Sequence, residues 1–418
     1  MIIEQIYTGC LAQGAYYIES NGEVAIIDPL REVQSYIDRA SKNNAKIKYI
    51  FETHFHADFV SGHVTLAEKT GATIVYGPTA NTKFNAHIAK DNEEFKVGEI
   101  TIIALHTPGH TMESTSYLLK DKEGENHAIF SGDTLFLGDV GRPDLAQKGD
   151  LTQEDLAGLL YNSLRTKIMP LADDVIVYPA HGAGSACGKN LSKETIGTIG
   201  DQKKTNYALR TDMTKEEFIK EVTDGLLPPP AYFPLNVQMN KEGYKSIDEV
   251  VKSASRALSV DEFELIANET DAIILDVRHQ SEFIKGFIPQ SVFIGLGGTF
   301  APWVGALIKD VTQPILLVTP VGEEETTITR LSRVGFDNVL GYLNNSFTSW
   351  QDSGKEVDTL RSVSAENLEE AIQNNKPVFD VRKPGEYNNE HIVNAPSTPL
   401  DFLNNHITEF PIDKDFYI

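Results

Sequence analysis

The chain has 418 residues, 41% hydrophobic and 23% charged, with a formal net charge of −23 and two cysteines. That length calls for two or three domains of about 100–250 residues each. The charge opposes phosphate backbones and anionic lipid, the apolar runs fall short of the roughly eighteen residues a membrane span needs, and two thiols cannot make a disulfide framework. Nucleic acid and membrane are thus excluded as expected partners, leaving small-molecule partners for a soluble, cytoplasmic protein. The N-terminal MIIEQIYTGCLAQGAYYIES reads as strand, turn, strand and lacks the basic start and unbroken apolar core of a signal peptide. Short β-rich runs follow in order to about residue 225: EVAIID, KIKYIFE, ATIVYG, ITIIAL, STSYLL, HAIFSG and DVIVYP. Between them lie helical stretches such as REVQSYIDRASK and LTQEDLAGLLYNSLRTKIM. Thr152, with Asp155 three residues on, places a capping box at the start of the second of these helices. Mixing of this regularity predicts sheets covered by helices. Residues 225–244, GLLPPPAYFPLNVQMNKEGY, are proline-dense with neither helical nor strand period, and are expected to drape over the surface of the first domain, anchored by Tyr232 and Phe233.

Beyond this exit the chain repeats itself. AIILDVRHQSEFIKGFIPQSVFI has a partner in KPVFDVRKPGEYNNEHIVNAPST, with Asp276 and Asp380 as matching aspartates 104 positions apart. The expected domains are therefore 1–245, a complete α/β unit over 246–356, and the N-terminal part of a second copy over 361–418. Half a module buries too little apolar area to be well ordered unless it packs on a neighbour.

Residues 53–63 read THFHADFVSGH, directly after an apolar strand. In extended chain His54 and His56 point the same way, with Asp58 just beyond. His110 in TPGHT, Asp133 in SGD and His181 in PAHG each follow an apolar strand in a small, glycine-bearing turn. Four strand ends can thus share one metal site, whose imidazole and carboxylate donors suit zinc, iron or manganese. His63, His87, His106 and His127 lack that context and are expected to be surface or packed histidines. Nothing in the spacing chooses between His54 and His56 as the stronger ligand.

THFHAD, TPGHT, SGD and PAHG in this order resemble the metallo-β-lactamase superfamily, an αββα sandwich, over the whole first domain. IIDPL, GDVGRPDL and PAHGAGSACGK resemble, within it, the persulfide dioxygenases fused to rhodanese-like domains. LDVR and FDVR, each followed by EF or EY, resemble rhodanese modules independently. The expected fold class is therefore α/β, a metallo-β-lactamase αββα sandwich followed by rhodanese-like α/β domains, one complete without its cysteine and one truncated.

The resemblance implies a single Fe(II) per chain on His54, His110 and Asp133, with His56, Asp58 and His181 as supporting groups or further ligands, and zinc as an occupant of recombinant material. Two-metal hydrolases of the superfamily carry HxHxDH, whereas here the last position is Phe59, which has no lone pair to offer. The implied reaction is oxidation of a low-molecular-weight or protein persulfide by O2 to sulfite and thiol, in sulfide detoxification, and a homodimer is compatible with the family. Arg142 in GRPDL is expected either to face the substrate as a cation or to fix its loop, with Asp144 as partner; the plain alternative is a surface turn. Cys187 stands in a glycine-rich turn whose amides could lower a thiol pKa, and it either receives a persulfide or is an inert packed thiol. Cys10 is assigned to packing. In the first repeat Thr319 replaces the sulfur-carrying cysteine and three glutamates follow, which describes a catalytically silent scaffold. Aligning DFYI with PILL puts the cysteine position of the second copy about two residues past Ile418, so the expectation is a sequence short of its natural C-terminal portion. The alternatives are a mononuclear zinc hydrolase of the same fold, a glyoxalase II-like thioesterase or lactonase, and a sulfur carrier with a vestigial metal site.

Overall fold

The computed structural model describes residues 1–146, 151–189 and 191–418. Met1–Val251 with Ser332–Gly335 form one unit, and Lys252–Leu331 with Phe336–Ile418 a second. In the first unit, β1 (Ile2–Thr8), β2 (Gln13–Ser20), β3 (Glu23–Ile27), β4 (Lys46–Phe51), β5 (Thr73–Tyr76) and β6 (His87–Ile88) make a sheet in that order. It is antiparallel from β1 to β3 and parallel from β3 to β6. A second sheet runs in the order β12 (Gly197–Thr198), β11 (Ile176–Pro179), β10 (Asn126–Gly132), β9 (Thr115–Lys120), β8 (Ile100–His106), β7 (Glu93–Val97).

Side-chain alternation explains the layering. Along β2, Tyr16 and Ile18 join the cluster between the sheets, with Phe51, Phe95, Tyr117 and Phe130, while Ala15 and Tyr17 face the other way. That outer face is covered by α1 (Gln34–Lys42) and α2 (His63–Thr70) through Tyr36, Ala40 and Leu66. The outer face of the second sheet packs Leu118, Ile129 and Val177 on α3 (Gln153–Ser163) and α5 (Lys215–Thr223), with α4 (Ile199–Thr205) alongside. Strands buried on both faces read as unbroken apolar runs, which is why they were legible. The result is the αββα sandwich expected from the motif order. Thr152 and Asp155 exchange both hydrogen bonds of the capping box at the start of α3.

The proline-dense segment departs from expectation. Phe233–Glu242 is a helix, α6, with Pro234 in its first turn. Pro is tolerated there because the N–H it lacks would have no helical partner. The helix buries Phe233, Asn236 and Asn240, so its inward face is largely amide and shows no apolar period. Tyr232 and Phe233 are both buried, as anchors should be.

In the second unit β13 (Ala257–Leu258), β17 (Val339–Leu343), β16 (Ile315–Val318), β14 (Ile273–Asp276) and β15 (Val292–Phe293) form one parallel sheet in that order. The repeat is structural. Ile274 pairs with Leu316 and Asp276 with Phe293; in the second copy Val378 pairs with Tyr417 and Asp380 with Ser397, all parallel, with every partner offset by 104 except Tyr417, which lies 101 after Leu316. The second copy also bonds to the first, through Asn404 Nδ2 to the Leu307 carbonyl at 3.1 Å. No helix among the described residues is long and apolar enough to cross a membrane.

Candidate metal centre

Four chain segments reach one end of the sandwich. His54, His56 and Asp58 follow β4, His110 lies between β8 and β9, and Asp133 and His181 follow β10 and β11. Two glycines make the approach feasible. A Cβ on Gly132, whose φ is +55°, would stand 2.7 Å from Thr53 Cβ, and one on Gly141 would stand 2.2 Å from the Asp133 carbonyl oxygen.

Asp133 Oδ2 lies 3.8 Å from His54 Nε2 and 3.4 Å from His110 Nε2. Donors sharing one ion at about 2.1 Å each stand about 3–3.5 Å apart, so these three nearly fit. On the other side, His181 Nε2 lies 3.6 Å from Asp133 Oδ1 and 3.4 Å from Asp58 Oδ2. All of these residues are buried. Among the described residues, both Asp133 oxygens, Asp58 Oδ1 and His181 Nε2 have no hydrogen-bond partner. Buried polar atoms are rarely left so, and an ion answers for this set.

The neighbours fix the tautomers. His110 Nδ1 is 2.8 Å from the Arg142 carbonyl oxygen and His181 Nδ1 is 3.2 Å from that of Ala12. A carbonyl only accepts, so both rings carry the proton on Nδ1 and present the Nε2 lone pair. Thr53 Oγ1 donates to Asp28 Oδ2 at 2.8 Å and accepts from His54 Nδ1 at 3.0 Å, so His54 is held the same way. Burial first, then His56, His110 and His181, holds His54 well below the usual histidine range, hence neutral and able to ligate.

His56 differs. Its Nε2 sits 3.0 Å from Asp28 Oδ1 and 3.6 Å from Glu52 Oε2. Burial opposes its charge, yet the Asp28 carboxylate, helped by Glu52 and Asp58, holds it up at about 9. It groups with Asp58 and His181 and again with Asp28 and Glu52, not with the His54, His110 and Asp133 triad. Phe59, fully buried, lies with its ring centroid 4.4 Å from that of His56.

Of the roles open to Arg142, the contacts favour loop fixing. It is buried, its Nε and Nη2 donate to the two Asp144 oxygens at 2.6 and 2.7 Å, and Nη2 and Nη1 also reach the carbonyls of Leu227 and Ala186. Cys187 is 1% exposed and its ligand atom lies within 4.8 Å of those of Asp133 and His181. Its thiol pKa is not lowered by the glycine-rich turn: burial, then Asp58 and Asp133, push it up. Cys10 is half-buried. His63 is a packed histidine, pushed down to about 3 by burial and the charge of His56.

Sequence reasoning missed Asp28, Thr53, Glu52 and Asn240. Asp28 adopts φ +48°, a left-handed conformation Asp tolerates better than most residues, to aim its carboxylate at Thr53 and His56. A lone Asp at the end of the apolar strand in IIDPL was the available signal.

Residues 8–181 match the model of the metallo-beta-lactamase superfamily and residues 259–353 that of the rhodanese-like domain. A probable hydroxyacylglutathione hydrolase of Schizosaccharomyces pombe is 33% identical over 206 residues, 44% of this chain and 75% of that one. The chain belongs to the metallo-beta-lactamase superfamily. The crystal structure of a metallo-beta-lactamase from Staphylococcus aureus subsp. aureus COL superposes on this superfamily member with a TM-score of 0.72 at 30% identity, covering 82% of this chain and 98% of the other. The cytoplasmic hydroxyacylglutathione hydrolase of Arabidopsis thaliana is 34% identical over 177 residues, and the match spans 41% of this chain and 65% of that relative's length. The mitochondrial persulfide dioxygenase of Homo sapiens is 27% identical over 220 residues, 52% of this chain and 78% of that one. The metallo-beta-lactamase domain thus carries a metal-binding residue set and is followed by a rhodanese-like domain.

Proposed function

We propose that the chain is a mononuclear iron persulfide dioxygenase, oxidising a thiol persulfide with O2 to sulfite and thiol, coupled to rhodanese-type sulfur transfer in sulfide detoxification. One observation carries this reading: two histidines and one carboxylate, His54, His110 and Asp133, converge, while Phe59 stands where a two-metal hydrolase has a further histidine. Such a face leaves adjacent coordination positions open, as oxygen chemistry requires. When bound, Fe(II) would supply affinity for sulfur and one-electron chemistry toward O2. The chain's own residues do the rest. Thr53 and the Arg142 carbonyl orient the two rings, and Arg142 with Asp144 ties the 141–145 loop to the Cys187 turn. Asp58 and His181 are placed to hold bound water or a substrate proton near Asp133. Cys187, kept protonated by burial, suits a sulfur-facing wall better than a free nucleophile. Thr319, buried where the module's cysteine would be, suits a scaffold rather than a sulfur carrier.

A second reading, a zinc thioesterase, has specific support. The hydroxyacylglutathione hydrolases of Arabidopsis thaliana and Schizosaccharomyces pombe described above stand at 34% and 33% identity against 27% for the persulfide dioxygenase, and Asp58, His181 and Asp133 Oδ1 retain part of a second-metal pocket. Protein purified without oxygen, assayed for iron and zinc and then for O2 uptake with glutathione persulfide and for cleavage of a hydroxyacylglutathione, separates the two. The dioxygenase predicts about one iron per chain and persulfide-dependent O2 uptake. Zinc with oxygen-independent thioester cleavage would replace it by the hydrolase.

A further inference from the structure

We propose that Asn240, supplied by α6 184 residues after His56, is a positioning residue for the metal centre. The segment from Thr53 to Ser61 is buried and makes no helix or strand, only an isolated antiparallel bridge from Ser61 to Leu30. Its backbone groups must find partners elsewhere. One side chain satisfies three of them: Asn240 Nδ2 donates to the carbonyls of His56 and Phe59, and Oδ1 accepts from the Ser61 N–H, each at 2.8 Å. Asn240 is 0% exposed, and these bonds use both of its donors and its acceptor. The bonded carbonyls bracket Asp58, so the amide sets the path of the stretch that carries His54, His56 and Asp58. Its own helix is tied to the same stretch at both ends. The Tyr232 hydroxyl donates to the Asp58 carbonyl at 3.4 Å, and the Tyr244 hydroxyl donates to that of Ser61 and accepts from Val64 N–H at 3.3 Å.

The chemistry is specific to an amide. Asn240→Ala leaves three buried backbone groups unpaired, and Asn240→Asp keeps the shape and the acceptor but loses both donors. The inference rests on His54, His110 and Asp133 being the metal site. Chelated protein is titrated with Co(II) and followed by its visible d–d absorption, beside thermal melts of the metal-free protein. Both Asn240 variants are expected to bind Co(II) about 10–100-fold more weakly, the range of outer-shell substitutions, with altered band shape. Wild-type affinity and spectrum in Asn240→Asp, even with a lower melting temperature, overturn the proposal and leave Asn240 merely structural; that variant decides if Asn240→Ala does not fold. Asp133→Asn separates the premise: it is expected to lose Co(II) binding, and wild-type binding there would sink the site assignment itself.

Discussion

At the residue scale the contacts of each ring's second nitrogen separate the candidate ligands from His56. Thr53 is the joint in the path from His54 Nδ1 to Asp28, and Thr53→Val keeps the shape while removing it. A 10–100-fold loss of Co(II) affinity is expected, read by competition with a chelating dye, with the apo melting temperature moving far less. Phe59→His restores a donor beside Asp58 and His181, which already stand 3.4 Å apart. Zinc per chain, measured after loading and desalting, should rise from about one toward two equivalents. A ratio that stays at one would show that Phe59 is not what limits the site to a single ion.

At the element scale the strands end where the ligands are needed, and small residues let them meet. Gly132, at φ +55° and with Thr53 Cβ 2.7 Å from where its own would stand, cannot carry a side chain without movement. Gly132→Ala should cost about 1–3 kcal/mol, lowering the melting temperature by several degrees, and should weaken metal binding because Asp133 is the next residue. The central β-strands were readable because sheet strands buried on both faces are apolar throughout, whereas β6, β7 and β12, short or partly exposed, left no such run. α6 was not, because its inward positions Asn236 and Asn240 are polar and a proline run precedes it. Helical period is a record of apolar burial, and a helix that spends its buried face on amides leaves no such record.

At the scale of the whole molecule the repeated segment shows one motif in two environments. Asp276 and Arg278 pair at 2.6 Å with side chains 0% and 7% exposed, whereas Asp380 and Arg382 pair at 2.6 Å with 9% and 46%. Burial raises Asp276, while the Arg382 guanidinium lowers Asp380. Arg278→Ala strands a buried carboxylate and should cost about 3–5 kcal/mol in denaturant unfolding of the second unit, while Arg382→Ala should remain close to wild type. Removing the metal should leave the sandwich folded, since three apolar layers hold it. Far-UV circular dichroism should be unchanged after chelation, with the loss of about 2.7 kcal/mol of stability relative to protein held at a hundred times the metal's Kd.

The amino-acid sequence by itself determined the sandwich, the repeat and the candidate donor residues. Those features are written in local pattern: apolar runs, short polar motifs at their ends, and a segment that recurs. Only the tertiary structure decided which donors share an atom's reach, that His56 is claimed by Asp28, that the Arg142 guanidinium reaches the carbonyls of Ala186 and Leu227, and that Asn240 holds the ligand stretch. Each of these is a contact between residues far apart in the chain, and their spacing depends on how the strands stack rather than on any neighbour in sequence.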